Sequence, residues 1–130
     1  MAGEANPGGH RVLVVDDNVD SAEVLAMLLG AMGHEAFVAH SGGDALRVAR
    51  ERNPTVVFLD LSLPDISGMD VARALKADPA FVRTRLIGLS GFSSGEYRAK
   101  CKEAGIDDYV EKPVEAATLA SLLGTPPASG

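Results

Sequence analysis

One stretch decides how this chain folds, and it reads Val56-Val57-Phe58-Leu59-Asp60-Leu61-Ser62-Leu63-Pro64-Asp65. Its first four residues are apolar and run without interruption into Asp60, which is the pattern of a strand buried on both faces. Such strands belong to parallel sheets that carry helices on both sides. Because ligands bind at the carboxyl ends of these strands, we expect the Asp60 carboxylate to lie in a functional site.

Polar residues also follow other segments that read as strands. Two of these segments, 12–15 and 86–89, are continuous apolar runs. The other two, 35–40 and 108–111, are less apolar. Because the carboxyl ends of parallel strands meet at one edge of a sheet, the polar residues that follow them should lie near Asp60. They are Asp16 and Asp17 after the first strand, Ser90 after the fourth and Lys112 after the fifth.

Segments with helical spacing of apolar residues alternate with the five strands. Asn18 or Asp20 can cap the first helix, Gly33 ends it, and Ser41 begins the second. Five strands alternating with five helices predict a (βα)5 chain, and right-handed crossovers place helices on both faces of the sheet. We therefore predict an α/β fold, a doubly wound three-layer sandwich with five parallel strands in the flavodoxin-like order 2-1-3-4-5.

The first helix presents two apolar stripes, and the role of the smaller one stays open. The broader stripe, which we expect to face the core, consists of Val24, Leu25, Leu28 and Met32. The smaller stripe consists of Ala22, Ala26 and Leu29. It fits equally well as further core packing or as a docking surface for a helix of a partner protein.

Composition and charge narrow the functions that the chain can have. With 130 residues, 46% of them hydrophobic and 23% charged, it can form one domain with a substantial core. The net charge of -6 argues against direct contact with nucleic acid, and no basic patch suits a membrane surface. We find no membrane-spanning run and no signal peptide, so we expect a cytoplasmic protein. Its single cysteine, Cys101, cannot form an internal disulfide.

The two ends of the chain differ from its body. Residues 1–10 are rich in glycine and carry little to bury, so we expect a flexible leader there. The segment 124–130 contains Pro126 and Pro127 and reads as a flexible tail. The folded domain is therefore predicted to span 11–123.

The carboxylates expected at the sheet edge repel one another, which raises at least one pKa unless a cation compensates. Lys112 supplies one ammonium, and the remaining negative charge leaves room for a metal ion. Oxygen ligands without Cys or His favour Mg²⁺, or Mn²⁺, which keeps several waters and takes a phosphate oxygen of its substrate. Asp17 would bind this ion directly, and Asp16 directly or through a water. A phosphoryl group is then the implied substrate, with Asp60 as nucleophile and Ser90 as hydrogen-bond donor.

Two other kinds of site fit these residues less well. A flavin-binding sheet needs a phosphate-binding loop after its first strand, where Asp16 and Asp17 would repel the phosphate. A phosphatase that works through an aspartyl phosphate commonly has a second Asp two residues after the nucleophile, and Ser62 stands there instead. A phospho-aspartate at Asp60 should therefore be lost slowly, which suits a regulatory switch and not a turnover enzyme.

With these motifs the chain strongly resembles the receiver domain of bacterial two-component response regulators. The matching motifs are Val14-Val15-Asp16-Asp17-Asn18, Leu59-Asp60-Leu61-Ser62-Leu63-Pro64 with Gly68, Leu89-Ser90-Gly91, and Tyr109-Val110-Glu111-Lys112-Pro113. Each motif is weak alone, but their joint spacing over 11–123 is specific. The chain also looks like the receivers of hybrid histidine kinases, which favours a domain excised from such a protein over a free-standing receiver.

The resemblance implies a role for each matching residue. Asp60 would accept phosphate from a phosphohistidine on a histidine kinase or a histidine phosphotransfer protein. The ligands of Mg²⁺ would be Asp16, Asp17, Asp60 and the backbone carbonyl of Ser62. Lys112 would contact the phosphoryl group, and the Lys112–Pro113 peptide bond would be cis.

The resemblance also implies how phosphorylation is read. Ser90 would turn its hydroxyl toward the phosphoryl group, and Tyr109 would rotate inward behind it. The face formed by the fourth helix, the fifth strand and the fifth helix would change, which allows a weak or phosphorylation-dependent dimer. The alternative is a pseudo-receiver, a binding module whose partner does not distinguish the phosphorylated from the unphosphorylated form.

Overall fold

The computed structural model describes residues 9–61, 68–90, 99, 101–112 and 114–123. Strands and helices alternate along the chain, as the sequence predicts. In chain order they are β1 (Arg11–Val15), α1 (Val19–Ala31), β2 (Glu35–Ala39), α2 (Gly42–Arg52), β3 (Val56–Asp60), α3 (Gly68–Lys76), a 3-10 turn (Pro79–Phe81), β4 (Arg85–Ser90), β5 (Asp108–Glu111) and the C-terminal helix (Ala116–Leu123). Residues 101–103, between β4 and β5, are also helical.

The strands in the described part of the chain form one parallel sheet in the order β2-β1-β3-β4-β5. Val14 of β1 lies opposite Phe58 of β3, and Phe58 lies opposite Ile87 of β4. The strand order and the parallel pairing confirm the predicted doubly wound α/β fold. The predicted leader and tail fall mainly outside the described residues, and the boundaries 11–123 stay a prediction.

Two hydrophobic cores lie on opposite faces of the sheet. Val12, Val14 and Phe58 pack on one side with α1 and the C-terminal helix. Leu13 and Leu59 pack on the other side with α2 and α3. Successive side chains of a strand point to opposite faces, so the central strands need apolar residues at both their odd-numbered and their even-numbered positions. This is why the sequence runs at 12–15 and 56–59 show no alternation of apolar and polar residues.

Capping residues fix the helix boundaries near the strand ends. Asn18 caps α1, since its side-chain oxygen accepts the Ser21 N–H at 2.9 Å. Ser41 caps α2 in the same way, and its hydroxyl accepts the Asp44 N–H at 3.1 Å. Both caps agree with the sequence prediction, and they set the directions in which the chain leaves β1 and β2.

The predicted core face of α1 is wrong in part. Val24 is 64% exposed, whereas Ala22 and Leu29 are fully buried against the sheet, in the same core as the 7% exposed Leu25. Ala22 and Leu29 of the smaller stripe therefore belong to the core and cannot dock a partner helix. The two stripes overlap around Leu25, so hydrophobic spacing alone did not decide which one faces the sheet. In the described part of the chain, no helix combines the length and the apolar character that crossing a membrane requires.

Candidate functional site

Three carboxylates meet at the carboxyl ends of β1 and β3. One oxygen each of Asp16, Asp17 and Asp60 lies within 4.8 Å of the others. Asp16 is 2% exposed and Asp60 is 4% exposed, whereas Asp17 faces solvent. The cluster arises because β1 and β3 are hydrogen-bonded neighbours whose last residues reach the same edge. It can hold a divalent cation, because carboxylate oxygens are the ligands that Mg²⁺ and Mn²⁺ prefer.

Asp16 is held by hydrogen bonds from both sides. Its Oδ1 accepts the Asn18 N–H at 3.0 Å, and its own N–H donates to the Ala39 carbonyl at 3.0 Å. The His40 Nδ1 lies 3.0 Å from the Asp16 carbonyl oxygen, and since a carbonyl only accepts, Nδ1 is the donor. His40 is a site residue that our sequence reasoning missed. It directly follows β2, so the rule that selected Asp60 also points to it.

Lys112 joins the two buried carboxylates. Its Nζ lies 3.0 Å from Asp16 Oδ2 and 3.1 Å from Asp60 Oδ2. The Lys112 backbone N–H donates to the Ser90 carbonyl at 2.8 Å, which fixes the residue at the end of β5 beside β4. Its side chain remains 31% exposed, so the ammonium can reach both the carboxylates and a group that arrives from solvent.

The charges at the site are unbalanced. Burial raises the pKa of Asp16, although the hydrogen bond from Asn18 and the ammonium of Lys112 act against this rise. Burial also lowers the pKa of Lys112, but hydrogen bonds and charge attraction to Asp16 and Asp60 outweigh it, so the pKa is raised. Lys112 is therefore a cation at neutral pH. One ammonium faces three carboxyl groups, and a divalent cation would offset the remaining repulsion.

Ser90 and Tyr109 share one face of the sheet. Ser90 ends β4 and is 2% exposed. Gly88, two residues earlier on β4, lies opposite Tyr109 of β5, so Ser90 and Tyr109 are diagonal neighbours on that face. Tyr109 is partly buried against the core on the side of α2 and α3.

Two predicted site residues lie outside the described residues. They are Ser62, whose carbonyl was expected to bind the metal, and Pro113, whose peptide bond was expected to be cis. Both expectations stay predictions. Of the other predicted site residues, the carboxyl edge brings together Asp16, Asp17, Asp60, Ser90 and Lys112, while Tyr109 lies within β5.

A groove of about 470 Å³ opens beside the carboxylates. Its lining includes apolar side chains of α1, among them Val24 and Leu28, and also Val114. Asp16 and Lys112 also line this groove, so its apolar surface leads directly to the charged residues.

Known proteins resemble the chain in both sequence and structure. The family model described as the response regulator receiver domain matches residues 12–123. The polar-differentiation response regulator DivK of Brucella ovis is 30% identical over 117 residues, which are 87% of this chain and 95% of DivK. The chemotaxis protein CheY4 of Vibrio cholerae superposes with a TM-score of 0.84 at 25% identity, covering 88% of this chain and 96% of CheY4.

A third similar protein is the receiver domain of the sensor histidine kinase PA1611 from Pseudomonas aeruginosa. It superposes with a TM-score of 0.80 at 28% identity, and 88% of this chain and 94% of that one are covered. That structure has a magnesium ion coordinated in its active-site cleft. The family match covers most of the chain, and the fold and the acidic edge agree with it. The chain therefore belongs to the receiver domain family of response regulators, which are regulatory domains.

Proposed function

We propose that this receiver domain is a phospho-acceptor switch of a two-component system or phosphorelay, and that Asp60 accepts the phosphoryl group. The observation that carries the proposal is the position of Lys112 Nζ, 3.1 Å from Asp60 and 3.0 Å from Asp16. An exposed edge that combines a buried carboxylate with a fixed ammonium suits an anionic electrophile. The donor we propose is a phosphohistidine on a histidine kinase or a histidine phosphotransfer protein.

We propose Mg²⁺ as the cofactor, with Mn²⁺ as a substitute. The donor set fits the ion, because Asp16, Asp17 and Asp60 offer oxygens within 4.8 Å of one another. The magnesium ion in the PA1611 receiver supports the same choice. When bound, the ion would neutralise charge on the phosphoryl oxygens. Asp16, Asp17 and Asp60 would hold it, together with the Ser62 carbonyl expected from the sequence.

The reaction transfers one phosphoryl group in line. An oxygen of the Asp60 carboxylate forms a bond to phosphorus while the bond from phosphorus to the imidazole nitrogen of the partner breaks. The imidazole leaves with the electron pair of that bond and takes a proton from solvent. Lys112 gives up its contact with Asp60 Oδ2 and donates to a phosphoryl oxygen, which stabilises the charge on the transferred group.

The proposed output runs through Ser90 and Tyr109. The hydroxyl of Ser90 would turn toward the new phosphoryl group, and Tyr109 would move inward on the same sheet face. Their diagonal arrangement on β4 and β5 supports this coupling, since a shift of one side chain changes the space available to the other. The cytoplasmic location and the weak or phosphorylation-dependent dimer expected from the sequence stay predictions.

Intact mass spectrometry tests the proposal directly. The protein is incubated with phosphoramidate and Mg²⁺, and we expect a mass increase of one phosphoryl group that disappears in Asp60→Asn. No added phosphoryl group, or one that persists in Asp60→Asn, would refute the proposal. If each protein molecule instead hydrolysed many phosphomonoester molecules in steady turnover, the protein would be a phosphatase.

A partner-binding measurement separates the switch from the pseudo-receiver. Beryllofluoride with Mg²⁺ mimics the phosphoryl group on Asp60, and we expect it to change the affinity for the output partner. An equal affinity with and without the mimic would favour the phosphorylation-independent binding module.

A further inference from the structure

We propose that Leu61 is a positioning residue for the phosphorylation of Asp60, held in a slot between Gly68 and Gly88. This inference rests on the proposed function, because it concerns the geometry of the phospho-acceptor. Leu61 directly follows Asp60 and is 5% exposed. Its backbone N–H donates to the Leu89 carbonyl at 3.1 Å, so the peptide between Asp60 and Leu61 is tied to β4.

One wall of the slot is Gly88, in the interior of β4. A Cβ at Gly88 would lie 3.2 Å from Leu61 Cδ1 and 3.6 Å from Leu61 Cδ2. The same Cβ would lie 3.5 Å from Ile106 Cγ2. Glycine weakens the interior of a strand, so a glycine at this position needs a reason. The φ of Gly88 lies outside the left-handed region, so the reason is the lack of room for a side chain. The volume that a side chain would occupy at Gly88 is filled by the methyl groups of Leu61.

The other wall is Gly68, the first residue of α3. A Cβ at Gly68 would lie 2.5 Å from the Asp60 carbonyl oxygen, 2.7 Å from Leu61 Cα and 3.0 Å from Leu61 Cδ2. The first turn of α3 therefore lies directly on the backbone of Asp60 and Leu61. Two glycines from different elements thus confine one leucine, and with it the residue before it.

This confinement determines where the Asp60 carboxylate points. Leu61 belongs to the core on the side of α2 and α3, whereas Asp60 pairs with Lys112. If Leu61 shifts, the peptide that it shares with Asp60 shifts too, and the carboxylate moves away from Lys112. A displacement of about 1 Å at a reacting group can cost on the order of a hundredfold in rate. The slot therefore acts on the reaction through Asp60, without contact with the phosphoryl donor.

The test compares core substitutions that differ in their distance from Asp60. Leu61→Val shortens the side chain in the slot, and Gly88→Ala crowds it. Leu75→Val is the matched control, because Leu75 is 2% exposed in the same core but lies at the far end of α3. The rate constant for phosphorylation by phosphoramidate with Mg²⁺ is measured by intact mass. Urea unfolding gives the folded fraction of each protein, and rates are compared per folded molecule.

We expect Leu61→Val and Gly88→Ala each to lower this rate constant about tenfold, while Leu75→Val leaves it unchanged. The double variant Leu61→Val/Gly88→Ala should be faster than either single variant, since the added methyl group fills the space that the shortened side chain leaves.

Equal phosphorylation rate constants for Leu61→Val and Leu75→Val would show that Leu61 only packs in the core. This result would overturn the inference, whatever the outcome for Gly88→Ala. A double variant slower than both single variants would also overturn it. Wild-type protein that takes no phosphoryl group would overturn the proposed function itself and this inference with it. The wild-type measurement therefore distinguishes the two failures.

Discussion

The ammonium of Lys112 lies 3.1 Å from the carboxylate of Asp60, although 52 positions separate the two residues in the sequence. The contact forms because β3 and β5 flank β4 in the parallel sheet and end at the same edge. Asp16 Oδ2 lies 3.0 Å from the same nitrogen. One cation thus holds two buried carboxylates in place before any phosphoryl group arrives.

Removal of this ammonium should slow phosphorylation. We expect Lys112→Ala to lower the rate with phosphoramidate by about a hundredfold, which is typical for loss of one preorganised donor to a developing anion. Intact mass measured over time gives the rate. The control is Lys102→Ala, which removes an exposed ammonium on the helical residues after β4. An unchanged rate in Lys112→Ala would show that its contact with Asp60 is only structural.

Mg²⁺ should stabilise the folded protein through the exposed Asp17. A ligand that binds only the folded state at a hundred times its Kd adds about 2.7 kcal/mol to the free energy of unfolding. We expect urea unfolding to show this gain in wild type, its loss on addition of a chelator, and little gain in Asp17→Asn. Asp20→Asn serves as the control, since Asp20 is exposed in the first turn of α1. The same gain in Asp17→Asn as in wild type would exclude Asp17 as a ligand.

The apolar groove beside the site should receive the phosphohistidine partner. Val24 is 64% exposed and lines this groove, so Val24→Glu places a charge on the approach to Asp60. We expect phosphoryl transfer from the partner protein to fall about tenfold, roughly the effect of 1.4 kcal/mol in binding, while the rate with phosphoramidate stays unchanged. Val82→Glu is a matched control, because Val82 is 69% exposed and lies after the 3-10 turn. Equal transfer rates in both variants would place the docking surface elsewhere.

Acid should destabilise the fold through His34. Burial, and then the nearby His10, lower the pKa of His34 below its ordinary value of 6.5. Geometry agrees, since His34 Nδ1 accepts the His10 N–H at 3.0 Å and Nε2 has no partner within the described residues. The contribution of neutral His34 is fully present well above pH 6.5, where the folded and the unfolded state are both unprotonated. This contribution is lost as pH falls below 6.5, because the unfolded state binds the proton first. The free energy of unfolding then falls by up to about 1.4 kcal/mol per pH unit.

Urea unfolding at several pH values checks this sign. We expect the free energy of unfolding of wild type to fall between pH 6.5 and the lowered pKa of His34, and His34→Gln to fall less over the same range. Glutamine can still accept the His10 N–H but does not titrate. The carboxylates titrate in both proteins, so the difference between the two curves isolates His34. Parallel curves would contradict the prediction.

Two glycines should respond to the same substitution with opposite signs. Gly30 is exposed in α1 and a Cβ there would meet nothing within 4 Å, so Gly30→Ala should stabilise the protein by about 0.8–1 kcal/mol. Gly105 has a φ of +95°, and a Cβ there would lie 2.7 Å from Lys76 Cγ. Gly105→Ala should therefore destabilise the protein by about 1 kcal/mol or more. Thermal unfolding of both variants gives the signs, and two shifts in the same direction would contradict this prediction.

The sequence by itself determined the strands, their order and the residues at their carboxyl ends. The runs at 12–15 and 56–59 predicted central strands, since burial on both faces favours apolar residues at every position. Parallel strands share one carboxyl edge, so Asp16, Asp60 and Lys112 could be assigned to one site without coordinates. The spacing of these residues along the chain sufficed because the topology of a doubly wound sheet admits few alternatives.

Only the tertiary structure decided how side chains meet across elements. It showed that α1 buries Ala22 and leaves Val24 exposed, and that His40 holds the Asp16 backbone. It also showed Leu61 between two glycines that lie 20 residues apart in the sequence, at Gly68 and Gly88. Periodicity reports which residues are apolar and how often they recur. The partner of each side chain depends on helix rotation and on backbone approach, which distant parts of the chain set together through packing.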